Sequence, residues 1–85
     1  MVSEICIGAV THYYNKIGVA VLALTDPIHI GDLIRIRGNG VDFNQEVTSL
    51  QVDYEAVDTG QVGTEVAMQV SQSVRCGCQI YKLLA

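Results

Sequence analysis

The sequence has few basic side chains and no long apolar run. It carries five lysines and arginines against nine aspartates and glutamates, which gives a formal net charge of −4 at pH 7. Phosphate neutralisation supplies much of the affinity of nucleic-acid-binding proteins, so this balance argues against strong non-specific RNA or DNA binding. A local basic patch stays compatible with it. The longest apolar stretch, residues 17–24, is far shorter than the roughly 18 residues that a membrane span needs.

Two further absences concern nucleotides and size. The phosphate-cradling pattern G-x-x-x-x-G-K-[ST] does not occur, which argues against nucleotide hydrolysis. With 85 residues the chain is expected to form one domain over residues 1–85. A core of this size is thin and leaves little room for an enclosed active site.

The three cysteines, an odd number, do not fit the even disulfide framework of small secreted domains. The N-terminus has neither the basic region nor the apolar run of a signal peptide, so we expect a cytoplasmic protein with reduced thiols. Cys76 and Cys78 allow a third option, a small metal or redox protein. A zinc site needs four ligands, however, and only Cys6, His12 and His29 remain to complete it. We therefore expect ordinary thiols, no cofactor and no metal.

Catalytic pairings are equally weak in the sequence. Cys6 and His12 would lie about 20 Å apart along one strand, too far for a nucleophile–base pair within that strand. Asp53 and Glu55 are expected on the polar, solvated face of a strand. No catalytic residue is predicted.

Alternation with a period of two and frequent turn residues predict an all-β fold. Turns recur every 8–12 residues or so, which is typical of small barrels and sandwiches. Closure would remove the exposed edges that so small a chain tolerates poorly. We therefore predict a small closed antiparallel β-barrel of six or seven strands, in which Gly38-Asn39-Gly40 forms a turn with positive φ angles.

One irregularity is expected between two of the strands. Phe43 and Val47 share one phase of the alternation, whereas Leu50, Val52 and Tyr54 share the other. Because side chains alternate strictly along a strand, a bulge or bend near Val47–Ser49 is needed to turn both sets toward the core.

The same alternation predicts which side chains are buried. Ile7 and Val10 of the first strand differ in parity, so one of them is expected at an end of the barrel. The predicted core comprises Ile7, Val10, Val19, Val21, Ile34, Ile36, Leu50, Val52, Val66, Met68 and Ile80.

The order of these features resembles a known family. Residues 7–21 look like the first hairpin of the translation-factor β-barrel, the second domain of elongation factor Tu. Residues 28–36 resemble its I-x-x-G-D-x-I-x-I segment, residues 63–70 its G-x-x-V strand, and residues 74–81 its closing R-x-G-D-x-V strand, with Cys78 in place of the aspartate. Residues 11–21 are closest to short stand-alone elongation-factor-like proteins, and similar to barrels appended to collagenase-like peptidases. The resemblance covers roughly residues 7–83.

The resemblance implies a translation-protein type of barrel. In elongation factor Tu this barrel helps to hold the aminoacyl end of tRNA and packs on a GTPase domain. A fold does not by itself imply a function, so a role carried over from translation factors is an analogy.

The candidate working surface is the tip of the first hairpin. Adjacent side chains of a strand point to opposite faces, so Tyr13 and Tyr14 cannot both enter the core. An exposed ring beside a cation suits base stacking or an interface anchor. The alternative is a purely structural turn. The predicted site comprises His12, Tyr13, Tyr14, Asn15 and Lys16, joined by Arg35 and Arg37, whose alternative role is a solvated face paired with acidic neighbours.

These features favour a non-catalytic binding module that contacts a protein or a structured RNA. The alternative is an RNA-binding accessory factor that engages a tRNA or rRNA end through the hairpin tip and Arg35 and Arg37. The two differ in their response to salt, because an RNA complex weakens steeply as phosphate contacts are screened.

Overall fold

Strands make up the regular structure of the chain in a computed structural model that describes residues 3–84. Met1, Val2 and Ala85, which belong to the predicted domain, lie outside these residues. No helix long and apolar enough to cross a membrane occurs between residues 3 and 84. The strands are β1 (Ser3–Tyr14), β2 (Val19–Leu24), β3 (Ile28–His29), β4 (Leu33–Gly38), β5 (Val41–Glu46), β6 (Leu50–Val52), β7 (Glu55–Val57), β8 (Thr59–Gly60), β9 (Glu65–Gln69) and β10 (Gln79–Leu84).

Eight of the strands form one antiparallel sheet with the order β5-β4-β10-β1-β2-β9-β6-β7, and β3 pairs with β8 in a separate ladder. The all-β prediction is confirmed. The predicted closed barrel of six or seven strands is not observed, because β5 and β7 end the sheet and do not pair with each other. Alternation indicates which face of a strand is buried and not which strands pair, so it carries no information about closure.

The sheet nevertheless curls around one core. A single cluster of buried side chains includes Phe43 from β5 and Leu50 from β6, near opposite ends of the sheet. The Gln45 side chain spans part of the opening. Its Nε2 donates to the carbonyl oxygen of Gln69 at 3.0 Å, and its Oε1 accepts from the backbone N–H of Ser71 at 2.8 Å. A side-chain amide thus makes the two hydrogen bonds that a paired strand would supply.

The predicted irregularity at Val47–Ser49 is a break between strands and not a bulge. β5 ends at Glu46 and β6 begins at Leu50. The buried Val47 is held there by its N–H, which donates to the carbonyl oxygen of Asp32 at 2.8 Å. Phe43 and Leu50 therefore reach one core from two different strands, as their opposite phases require.

The bulges lie in β1 instead, between Cys6 and Gly8 and between Val10 and His12. They explain how Ile7 and Val10, which differ in parity, are both buried. Each bulge inserts a residue and so shifts the phase of the alternation. Gly8 is needed beside the first bulge, because a Cβ there would collide with the carbonyl oxygen of Ala23.

The predicted core is correct except for three residues. Val52 is half-buried, and in β2 the phase is inverted, since Val19 and Val21 point outward while Ala20 and Leu22 are buried. Every residue of β2 is apolar, so periodicity could not choose its inner face. The phase argument had already turned Phe43 and Val47 toward the core, and both are buried. The other buried residues outside the predicted core are Ala20, Leu22, Leu24, Ile28, Val70, Val74 and Cys78.

Candidate functional site

The first hairpin presents Tyr14 to solvent. The turn after β1 is closed by the carbonyl oxygen of Tyr14, which accepts from the N–H of Gly18 at 2.9 Å. Tyr13 lies opposite the buried Ala20 and packs against the core, whereas Tyr14 is 49% exposed. The expectation that only one of these rings can enter the core therefore agrees with the structure.

His12 supports the exposed ring. The imidazole and phenol rings of His12 and Tyr14 lie edge to face, with their centroids 4.4 Å apart and an interplanar angle of 61°. Edge-to-face contacts are a favourable arrangement for aromatic pairs. Tyr14 is thus exposed to solvent while its ring packs against His12, an arrangement that suits an interface anchor.

A second exposed tyrosine lies at the β6–β7 hairpin. Val52 pairs with Glu55, so the turn has two residues, Asp53 and Tyr54, with φ angles of 51° and 66°. Turns of this kind favour Asn-Gly or Asp-Gly, since both residues need a positive φ. A non-glycine residue in this conformation costs about 1–2 kcal/mol. Tyr54 occupies the position that glycine suits best.

Core packing does not explain Tyr54 either, because its side chain is 98% exposed. The residue is unfavourable for the backbone and contributes no buried surface. Strained residues of this kind concentrate at functional sites. Tyr54 is therefore the residue of the chain that points most directly to a function.

The two tyrosines flank one groove of about 430 Å³ on the outer face of the sheet. Its floor is formed where β2, β9 and β6 lie side by side, since Ala67 pairs with both Val21 and Gln51. We call this surface the two-tyrosine groove. It is lined by Tyr14, Ile17, Val19, Val21, Gln51, Asp53, Tyr54, Glu65 and Ala67.

The groove is apolar with an acidic rim. Ile17 is 64% exposed, and the outward phase of β2 adds Val19 and Val21. Asp53 and Glu65 are the charged residues of the lining. Neither forms an ion pair with any side chain of residues 3–84. The groove thus combines apolar surface with carboxylates that have no ionic partner in the described part of the chain.

The outer face of β4 and β5 is different, because Arg35 and Asp42 are paired there. Arg35 binds Asp42 through two hydrogen bonds of 2.7 Å and binds Glu4 through a third of 2.6 Å. The hydrogen bonds to Arg35 lower the pKa of the Asp42 carboxyl, and those to Asp42 and Glu4 raise the pKa of the guanidinium. We call Glu4, Arg35 and Asp42 the charge-paired face; Arg37, beside it on β4, forms no ion pair among residues 3–84.

The structure does not bring the predicted site residues together. Arg35 lies opposite Tyr81 in the sheet, and Tyr81 lies opposite Cys6. Tyr14 is eight residues farther along β1 than Cys6, which is a distance of about 26 Å. Arg37 pairs with Asp42 in the β4–β5 ladder. The hairpin tip and the two arginines are thus separate surfaces. Asn15 and Lys16 are exposed at the tip, beside the groove.

The thiols of Cys76 and Cys78 have different hydrogen-bond partners. The Cys76 thiol donates to the carbonyl oxygen of Thr11 at 3.2 Å, and the buried Cys78 thiol donates to that of Gly38 at 3.3 Å. Cys6 is exposed. Among residues 3–84 no three His, Cys, Asp or Glu side chains are grouped so that they could hold a metal ion.

A second hollow of about 260 Å³ lies where β1 begins and β10 ends, and its lining includes Ile5 and Leu84. Lys82 and His29 of this lining face a carboxylate of the same chain. Asp32 Oδ2 lies 3.4 Å from Lys82 Nζ and 3.7 Å from His29 Nδ1. Lys82 of this hollow is therefore paired within the molecule, whereas Asp26, which also lines it, forms no ion pair among residues 3–84.

No protein-family model matches the chain. Over 81 residues the chain is 33% identical to an uncharacterized protease of Methanocaldococcus jannaschii, and the alignment covers 94% of the chain but 20% of the protease. The chain thus spans about a fifth of the length of this curated relative.

The fold matches two crystal structures of the C-terminal domain of a Geobacillus thermoleovorans protein described as a U32 peptidase. One is the selenomethionine variant, with a TM-score of 0.85 and 16% identity, covering 89% of this chain and 96% of that domain. The other has a TM-score of 0.85 and 18% identity, covering 91% and 90%. The resemblance to barrels appended to collagenase-like peptidases is thus confirmed for the fold. Neither structure is a translation factor.

Sequence interpretation found one side of the groove and missed the other. It singled out Tyr14 but placed Tyr54 in a strand, in phase with Leu50 and Val52. Asp53 was the available signal, because Asp is a common first residue of such turns. The tyrosine after it, in place of glycine, concealed the hairpin.

Proposed function

We propose that the chain is a non-catalytic binding module that binds a partner protein through the two-tyrosine groove. The observation that carries the proposal is Tyr54, which is 98% exposed at a backbone φ of 66°. Tyrosine is enriched at binding hot spots because it offers an apolar ring and a polar tip.

A protein partner is favoured over RNA by the charges of the groove. Its rim carries Asp53 and Glu65, and the chain as a whole has a net charge of −4. Phosphates would be repelled from such a surface. Arg35, a candidate phosphate ligand, already binds two carboxylates.

The non-catalytic part of the proposal rests on the cysteines and the open groove. The thiols of Cys76 and Cys78 donate to separate backbone carbonyls, those of Thr11 and Gly38. The relatives add a setting. Because the matching fold is a C-terminal domain of a protein described as a U32 peptidase, we propose that the module serves a larger assembly of that kind. A translation-factor-like role in packing against a partner is compatible with the same groove.

The test compares two double variants of the chain in capture experiments. Immobilised wild type, Tyr14→Ala/Tyr54→Gly and Arg35→Gln/Arg37→Gln are exposed to a lysate of the source organism, with and without nuclease. The proposal predicts one protein whose capture survives nuclease, persists with the arginine variant and falls about tenfold with the tyrosine variant. Capture that is lost with nuclease or with the arginine variant would instead support the RNA-binding accessory factor.

A further inference from the structure

The charged residues that line the two-tyrosine groove are all acidic. Its lining has two carboxylates, Asp53 and Glu65, and no lysine or arginine. Neither carboxylate has an ion-pair partner among residues 3–84. Beside them lie an exposed phenol ring, that of Tyr54, and a floor of valine and alanine side chains.

We propose that the groove binds a polypeptide segment in which an arginine or lysine is flanked by aliphatic residues. This inference rests on the proposed function and specifies its partner. The aliphatic side chains would cover Val19, Val21 and Ala67, and the cation would lie between Tyr54 and the two carboxylates.

Each element of this chemistry has a counterpart in the groove. A cation over a tyrosine face is attracted by the ring quadrupole, and Tyr54 is free to take that position because it is 98% exposed. Carboxylates form their strongest hydrogen bonds with charged donors such as guanidinium. The apolar floor contributes affinity through burial.

Other occupants fit less well. An acidic segment or a phosphate would face Asp53 and Glu65 with no cation in the lining to balance it. A second copy of the chain could offer only Lys16, Arg37 or Arg75, because Arg35 and Lys82 are already paired with carboxylates. Its net charge of −4 also opposes its approach to an acidic groove. A basic, aliphatic segment of another protein satisfies both the charge and the apolar surface.

The experiment starts from a random 12-residue peptide library displayed on phage and selected on the whole chain. The most enriched peptide is synthesised with a fluorophore, and its dissociation constant is measured by fluorescence anisotropy. We expect a peptide with an arginine or lysine next to aliphatic residues. Replacing that cation by glutamine should weaken binding about tenfold, because one charge-assisted contact is lost.

Variants of the chain locate the peptide. Asp53→Asn/Glu65→Gln should weaken binding about tenfold and flatten its salt dependence. The matched control, Glu46→Gln/Asp58→Asn, removes the same charge outside the groove and should leave the dissociation constant unchanged. Tyr54→Gly should weaken binding at least as much as the groove double variant.

The outcomes separate this inference from the proposed function. A peptide that is sensitive to Tyr54→Gly but carries no cation, or ignores Asp53→Asn/Glu65→Gln, overturns the inference and leaves the protein-binding groove intact. A peptide insensitive to Tyr54→Gly counts against both. Failure to enrich any peptide also overturns the inference, as does self-association through Tyr54 in analytical ultracentrifugation, which would make a second copy the occupant.

Discussion

Two hairpins of the same sheet use the same kind of turn with different residues. The β4–β5 hairpin turns at Asn39 and Gly40, with φ angles of 51° and 82°. The β6–β7 hairpin turns at Asp53 and Tyr54, with 51° and 66°. The first pair is what the backbone favours. The second keeps a tyrosine where glycine would be easier, so the reason for Tyr54 lies outside the backbone.

The surfaces beside the two hairpins also differ, in whether their carboxylates are paired within the molecule. Next to the first, the charge-paired face balances Arg35 with Glu4 and Asp42. Next to the second, the two-tyrosine groove leaves apolar side chains and two carboxylates without partners in the described residues. The contrast is the reason for proposing the two-tyrosine groove, and not the charge-paired face, as the surface that binds a partner.

The largest expected effect tests whether both faces share one core. Leu22→Ala, behind the groove, and Ile36→Ala, behind the charge-paired face, should each lower the free energy of unfolding by about 2–5 kcal/mol. Both side chains are fully buried. Urea denaturation measures the loss, with Val21→Ala on the outward side of β2 as a control expected to cost about 0.5–1 kcal/mol. A neutral Ile36→Ala would contradict the shared core.

The next largest change in stability is expected when a tyrosine is placed in the β4–β5 turn, as it is in the β6–β7 turn. Gly40→Tyr places a tyrosine at φ 82° with no atom within 4 Å of its Cβ, so backbone strain is the main cost. We expect a loss of about 1–2 kcal/mol in urea denaturation. Retained stability would mean that the two hairpins do not differ as their φ angles indicate.

Tyr54→Gly should act in the opposite direction. Relief of strain is partly offset by the greater flexibility of glycine in the unfolded chain, so stability should rise by up to about 1 kcal/mol. Partner binding should fall at the same time. A variant that loses stability in urea denaturation would show that Tyr54 has a structural role.

The smallest effect is a pH dependence of the charge-paired face. Hydrogen bonds from Arg35 lower the pKa of Asp42 below its ordinary value of 3.8. The pair therefore stabilises the folded state above that pH, and the stabilisation is lost as the pH falls through the lower folded pKa. Asp42→Asn should lower Tm slightly at pH 7, and by less as the pH falls below 3.8. A Tm difference that grows on acidification would have the wrong sign.

The fold was predictable from the sequence where a residue type favours a single local structure. The β4–β5 turn followed from Gly38-Asn39-Gly40. The opposite phases of Phe43 and Leu50 located an irregularity between them, but it is a break between two strands and not the expected bulge. β2 could not be oriented, because Ala20 and Leu22 are as apolar as Val19 and Val21. Whether the sheet closes depends on which strands pair, and alternation within a strand carries no information about that.

The candidate site was predictable only in part. Tyr14 was found because it adjoins Tyr13, and one of two adjacent rings must point outward. Tyr54 was missed because tyrosine favours β-strands and rarely adopts a positive φ. Sequence reasoning assumes that local preferences are obeyed, so it fails at the residue where this chain departs from them.

The most direct test of the central claim maps the partner onto the two faces. Amide chemical shifts of the ¹⁵N-labelled chain are recorded by NMR as the captured partner is added. The account predicts that the perturbed amides lie in residues 14–21, 51–54 and 65–67, with Arg35 and Asp42 unaffected. Perturbations centred on Arg35, Arg37 and Asp42, with Tyr14 and Tyr54 unchanged, would contradict it.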